Sequence, residues 1–344
     1  MRIAIVKLFN IGDALLLTPT LTGLRQAYPG AEITVVTRET NLGILEGCPA
    51  INHLVGMSDP RLHKPGAMAR DIRAIWNLRR NRFDCLFELG GRHRGRNLAA
   101  LCRAKRAYSV RTAVPLGILR RLQFNGMATH DGRRGHAVER DYFTVSEFLP
   151  LPPPPIPPLV FCVESAKPWR GAAGLDAFAI LHVGSREGFK RWHAEGWRQV
   201  AGHLLKRLAK VVVTTGPEPE EVSEAETLQA HFGSRVVLTR GATTWAELAD
   251  LLYRASLYVG LDTSVMHLAA ACQCPIVALW GPTEEEHWAP WRALHRIVTE
   301  NSSLPEKERR MSQVRSEDVM AACDEMLASQ TRLRNPRSGE RGCV

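Results

Sequence analysis

The 344-residue chain reads as an α/β protein of two doubly wound domains facing a central cleft. Three observations lead there. Short apolar runs alternate with amphipathic helical stretches along almost the whole chain, and that alternation implies parallel strands joined by helices. The alternation is interrupted once, by the run PLPPPPIPP at Pro150–Pro158, and then starts afresh. The length suits two domains of about 150–180 residues rather than one.

In the first series, Arg2–Lys7 and Glu32–Thr37 read as buried strands. Between them Leu17, Leu21, Leu24 and Tyr28 share one helical face. Thr18-Pro19 reads as an N-cap followed by proline in the first turn, which leaves Gly12 and Asp13 in the connection after the first strand. Ile51–Val55, Cys85–Leu89 and Ala107–Val110 are further strands, and Ala67–Arg80 is a helix. Seven of the nine residues of Pro150–Pro158 are proline, so neither a helix nor a central strand can cross it. It is expected to link a first domain, 1–149, to a second, 159–330.

The second series has strands at Phe178–Val183, Lys210–Thr214, Arg235–Leu238, Leu257–Leu261 and Pro275–Leu279. Its helices lie around Trp197–Leu208, Glu221–His231, Trp245–Tyr253, Val265–Ala271 and Ser316–Leu327. The tail 331–344 is polar and basic, the composition of a disordered segment.

Composition narrows the function classes. The net charge of +10 favours an anionic partner, yet no nucleic-acid module is recognisable. The eight cysteines form no CxxC pair, so the spacing of a zinc site is missing, and scattered thiols suit a reducing cytoplasm. Neither a secretory leader nor an apolar run of about 18 residues is present, so the expectation is a cytoplasmic protein with at most peripheral membrane contact.

Chemistry-bearing residues gather at strand ends, where open α/β sheets bind ligands. Asp13 could take a proton from an attacking hydroxyl, or cap a helix. Asp262, Thr263 and Ser264 open the helix that contains His267. A helix start with hydroxyl donors suits a diphosphate, and capping explains the same residues equally well. Gly184-Ser185, with Lys190 and Arg191 downstream, could cradle phosphate, although neither GxxxxGK[ST] nor GxGxxG is present. Gly216-Pro217 ends a strand, and Glu218 or Glu220 beyond it could hold a ribose or simply charge a helix start. Arg92, Arg94 and Arg96 follow Cys85–Leu89 and could dock an anionic acceptor; Arg61, His63 and Lys64 form a second basic group.

Together these segments resemble glycosyltransferase family 9, the ADP-heptose:lipopolysaccharide heptosyltransferases. IVKLFNIGDALLLTPTLTGLRQAYPGAEITVVT, HVGSREGFKRWHAEGWRQVA and VGLDTSVMHLAAACQCPIVALWGPT carry the likeness in order across residues 1–290. The resemblance implies two Rossmann-like domains in a GT-B fold, with acceptor on the first and nucleotide sugar on the second. It implies Asp13 as general base, and Lys190, Asp262, Thr263 and Ser264 with His267 around a donor such as ADP-heptose. The family often has glycine where this chain has Ser264. The acceptor would be a lipopolysaccharide core or lipid A precursor at the inner face of the inner membrane. Protein dipoles and cations would neutralise the leaving diphosphate, with no metal or cofactor required. Competing readings are a nucleotide-sugar epimerase or hydrolase of the same fold and a non-catalytic protein that binds anionic surfaces.

Overall fold

The computed structural model describes residues 1–59, 65–111, 123–130, 135–162, 164 and 166–334. Arg61, His63 and Lys64 lie outside them, as does the tail beyond Arg334. The chain divides into two compact units, Met1–Ser165 and Ala166–Val344.

Among the described residues the first unit holds six strands: β1 (Arg2–Val6), β2 (Glu32–Arg38), β3 (His53–Met57), β4 (Phe83–Glu88), β5 (Ala104–Ser109) and β6 (Gly126–Met127). They line up in the order β3-β2-β1-β4-β5-β6, every pairing parallel. The second unit holds β7 (Phe178–His182), β8 (Lys210–Thr214), β9 (Val236–Leu238), β10 (Leu257–Leu261), β11 (Ile276–Trp280) and β12 (His295–Thr299), in the order β12-β11-β10-β7-β8-β9, again all parallel. The two orders are the same pattern. In each unit the first and fourth strands lie side by side and the chain winds outward from them in opposite directions. The crevice above that pair is where such sheets bind ligands.

Burial explains why these runs became central strands. β7, β10 and β11 are apolar at nearly every position and buried throughout, as a sheet covered on both faces requires. β12, by contrast, reads HRIVT and is buried at one position, the mark of an edge strand; its weak apolar signal is why it is absent from the sequence reading. Helices cover the faces. Those used below are α1 (Ile11–Leu15), α2 (Thr18–Ala27), α3 (Leu42–Leu45), α4 (Ala67–Arg80), α5 (His93–Leu101) and α6 (Ala137–Ser146) in the first unit. In the second they are α7 (Ala194–Leu204), α8 (Pro219–Phe232), α9 (Trp245–Arg254), α10 (Ser264–Ala271), α11 (Glu285–Trp288) and α12 (Ser316–Arg334).

Three local expectations change. Gly12 and Asp13 belong to the short helix α1 and not to an open connection. Thr18 is the first residue of α2 and caps nothing: α1 runs almost directly into α2, so its hydroxyl donates to the Leu15 carbonyl at 2.7 Å and accepts from the Val160 N–H. α12 continues through Arg334, past the expected start of the unstructured tail at Thr331. The proline-rich run belongs to the first unit, where Ile156 within it and Leu159 and Phe161 just beyond it are buried. The Tyr142 hydroxyl donates to the Pro152 carbonyl at 2.7 Å.

One interaction in the first unit is unusual for a core. The ammonium of Lys7, just past β1, is hydrogen-bonded to the carboxylate of Asp141 on α6, and both side chains are fully buried. Arg140 donates to the other oxygen of Asp141 at 3.0 Å. Removing one member of such a pair leaves an uncompensated charge away from water, at a cost of about 3–5 kcal/mol. Lys7→Met should therefore destabilise the first unit by that order, measured as faster hydrogen exchange of the β1 amides in the intact chain. Exchange within threefold of the parent would show that Arg140 alone satisfies Asp141.

Candidate active site

The residues with chemical potential sit at the carboxyl edges of the two sheets, each set next to the paired first and fourth strands.

In the second unit the loop after β7 carries Ser185 and Lys190. Its far end is fixed by Trp192, which is buried edge-on to Trp197 and donates its indole N–H to the Val314 carbonyl at 3.0 Å. Its near end is braced by Arg191, which donates to the Ser185 carbonyl at 3.0 Å. Between these anchors Lys190 reaches across to the end of β10. Its Nζ lies 2.6 Å from Asp262 Oδ2 and 3.1 Å from the Asp262 carbonyl oxygen. An ammonium has three donors, so one remains after these two bonds.

This contact bears on whether the Asp262-Thr263-Ser264 segment caps α10. The Asp262 carboxylate is engaged by Lys190 and does not cap α10. Thr263 is the N-cap residue by backbone conformation, but its side chain makes no capping hydrogen bond; it lies against the Tyr258 hydroxyl. The first N–H groups of α10 thus have no side-chain cap, and the positive end of the helix dipole opens at the sheet edge beside a lysine. Ser264 begins the helix. His267 lies one turn further in, within its buried face.

The adjacent strand end, after β8, is organised by a carboxylate that the sequence reading passed over. Glu221 is buried and its Oε2 accepts the Gly216 N–H at 2.7 Å. It sits so close to the turn after β7 that a Cβ on Gly184 would stand 2.1 Å from that oxygen, so the glycine there makes room for it. Glu218 is exposed at the start of α8, and Glu220 is exposed and paired with Arg191 at 2.9 Å. Of the three, only Glu221 is held at the strand end. A run of acids at a helix start looks alike in sequence; only the turn of the helix separates the one that faces inward. Next to Gly184, His182 is buried with its Nδ1 2.9 Å from Thr214 Oγ1, and burial pushes its pKa down to about 4, so it is neutral at physiological pH.

In the first unit Asp13 is 5% exposed, and its Oδ1 has no hydrogen-bond partner. Burial raises its pKa above the ordinary carboxylate range. Lys7 and Arg140 pull the value back down, and Asp141 pushes it up. Asp13 is thus a sequestered carboxyl facing the buried Lys7–Asp141–Arg140 cluster. That cluster was not legible in the sequence because it joins residues more than a hundred positions apart. The local cue was HAVERD, in which the His136 side chain and Glu139 form a capping box that starts α6 and sets Arg140 and Asp141 in its first turns.

The three arginines after β4 part company. Arg92 is exposed and stacks over the Phe9 ring, 4.8 Å from its centre. Arg94 is half-buried and donates to the Ser58 carbonyl and toward Asp71. Arg96 is only 3% exposed, because α5 begins at His93 and turns it inward to within 3.7 Å of Glu88. Glu88, at the end of β4, also accepts from the Gly90 and Gly91 N–H groups and the Ser109 hydroxyl. Burial outweighs these bonds and pushes its pKa up to about 6. Arg96 therefore shapes the β4–α5 turn from inside, and only Arg92 offers an open guanidinium.

Comparison with known proteins bears on the same segments. The model of glycosyltransferase family 9 (heptosyltransferase) matches residues 72–316. Lipopolysaccharide heptosyltransferase 3 of Escherichia coli is 27% identical over 339 residues, which covers 93% of this chain and 97% of that protein. Among solved structures, the glycosyl transferase family 9 protein of Veillonella parvula superposes with a TM-score of 0.80 at 23% identity, covering 95% of this chain and 97% of that one. The E. coli heptosyltransferase WaaC with ADP-2-deoxy-2-fluoro heptose gives 0.78 at 22% identity, covering 94% and 99%. The fold is shared with both, and the chain belongs to glycosyltransferase family 9, the heptosyltransferase family, and is a glycosyltransferase.

Proposed function

We propose that this chain transfers heptose from ADP-heptose to a hydroxyl of a lipopolysaccharide core acceptor. The observation that carries the reading is the uncapped start of α10 beside Lys190, a place for a diphosphate at the β7/β10 strand ends. The solved relative that carries an ADP-heptose analogue and the curated relative that bears a lipopolysaccharide heptosyltransferase name support donor and acceptor class.

In this mechanism Asp13 accepts the proton of the acceptor hydroxyl as its oxygen bonds to the anomeric carbon. The bond from that carbon to the diphosphate oxygen breaks, and the nucleoside diphosphate leaves with the electron pair. The raised pKa of Asp13 makes it a stronger base than an exposed aspartate, while Lys7 and Arg140 keep its ionised form accessible. Lys190 neutralises Asp262, so an arriving diphosphate meets the helix end and not a bare carboxylate. Ser185 and Ser264 add hydroxyls, and Glu221, rather than Glu218 or Glu220, is the carboxylate placed for the ribose. Arg92 is the acceptor-docking cation. The lipid-borne acceptor sets the working place at the cytoplasmic face of the inner membrane.

Asp13→Asn should lower kcat by about 10²- to 10⁴-fold and leave donor KM within a few-fold; near-normal turnover removes Asp13 from the chemistry. Because Asp13 must be ionised to act, kcat/KM should rise with pH through its raised pKa. Arg140→Gln removes a positive neighbour and should shift that limb to higher pH. A lower rate with an unmoved limb would leave Arg140 a purely structural part.

Lys190→Ala should weaken nucleoside diphosphate binding by about ten- to a hundredfold, with the bare nucleoside nearly unaffected. Equal losses for both ligands, read by calorimetry, would place Lys190 away from the phosphates. Arg92→Gln should raise acceptor KM without changing donor KM, and Arg96→Gln should instead lower thermal stability. The opposite assignment of effects would refute the division between these two arginines.

A further inference from the structure

One exposed flank of α4 is apolar where a surface helix is normally polar. Its inner face packs Leu78, with Ala74 and Ile75, onto the core of the first unit. On the flank next to that face Met68, Ile72 and Trp76 are 72%, 60% and 56% exposed. Their spacing of four residues sets them in one line along the helix, about 12 Å from end to end. Such a face gains nothing in water.

The charge around that line has one sign. Arg70, Arg73, Arg79 and Arg80 all lie on α4. Arg70 approaches Glu39 at 3.7 Å. Among the described residues Arg73, Arg79 and Arg80 form no ion pair, and Arg80 lies 4.5 Å above the Trp76 ring. The helix has a single acid, Asp71, and it is turned away: its oxygens accept from the Ser58 N–H at 2.9 Å and the Ser58 hydroxyl at 2.7 Å, with Arg94 beside them. The exposed surface of α4 therefore combines three large apolar side chains with an arginine border and no available carboxylate.

We propose that this face docks on an anionic lipid bilayer, with Met68, Ile72 and Trp76 entering the boundary between headgroups and acyl chains and Arg73, Arg79 and Arg80 engaging lipid phosphates. Amphipathic helices that lie in a membrane plane have this composition, and tryptophan favours that depth because its ring is apolar with one polar edge. Charge complementarity selects the occupant. A second copy of the same face would set arginine border against arginine border, whereas anionic headgroups neutralise it. The membrane is shared with the functional reading above, but docking needs neither donor nor acceptor, so the two stand or fall separately.

The test is co-sedimentation of the full chain with vesicles of phosphatidylcholine alone and of phosphatidylcholine mixed with phosphatidylglycerol, without substrate. The parent should bind the mixed vesicles, weakly at high salt, and not the neutral ones. The triple variant Met68→Ser, Ile72→Ser, Trp76→Ser should lose at least about tenfold in vesicle affinity. Arg73→Gln, Arg79→Gln and Arg80→Gln together should lose about a hundredfold at low salt and less at high salt. The serine variant should keep the parent's turnover on a water-soluble, delipidated acceptor, whereas a variant lacking Asp13 should bind vesicles normally and fail in turnover. The proposal is overturned if the parent ignores phosphatidylglycerol vesicles or if the serine variant binds them like the parent. It also falls if the parent is a dimer that the serine variant dissociates, since a second copy then covers the face, or if the face captures an acidic protein in preference to the vesicles.

Discussion

Parallel strands all end on one side, and that constraint organises everything chemical in this protein. In each unit the strand order places the first and fourth strands together, so the loops that follow them start as neighbours although they are far apart in sequence. Asp13 follows β1 and Glu88 ends β4; Lys190 and Asp262 follow β7 and β10. The sheet cores, buried throughout, hold these ends in register. Asp13, Lys190 and Asp262 lie in loops and first helical turns, where backbone N–H groups lack intrahelical partners.

The two edges solve their electrostatics differently. In the first unit charge is taken out of water and then compensated: Lys7 and Arg140 surround Asp141, and Asp13 faces the group with an unsatisfied oxygen. For both Asp13 and Glu88, burial is the largest influence and raises the pKa despite nearby cations. That balance favours a base whose proton affinity exceeds that of a surface carboxylate. In the second unit the Lys190–Asp262 pair is only partly buried, so it is cheaper to rearrange. The helix start beside it has no side-chain cap. One edge holds a buried carboxyl of raised proton affinity, the other an uncapped helix start beside a lysine.

Rigid anchors make the loops usable. The segment from Ser185 to Trp192 has little regular structure, yet the Trp192 indole is bonded to Val314 and packed on Trp197. The Gly216 turn is fastened by Glu221, and the turn after β4 is fastened by Glu88. Each anchor is a buried polar group whose bonds are made inside the protein.

The sequence by itself determined the two-unit α/β architecture, most of the strands and the strand-end positions of Asp13, Lys190 and Asp262. Apolar runs and helical periodicity are local signals, and strand ends follow from them. It did not reveal β12 or α6, whose patterns are weak or polar, nor the Lys7–Asp141 pair and the inward turn of Arg96 and Glu221. The reason is physical. Whether a charged side chain faces water or a buried partner depends on the rotation of its helix and on residues remote in the chain. Asp262 shows the difference most clearly: in sequence it is as good a helix cap as a site residue, and only the tertiary structure sets it one residue before the N-cap Thr263, with its carboxylate on Lys190.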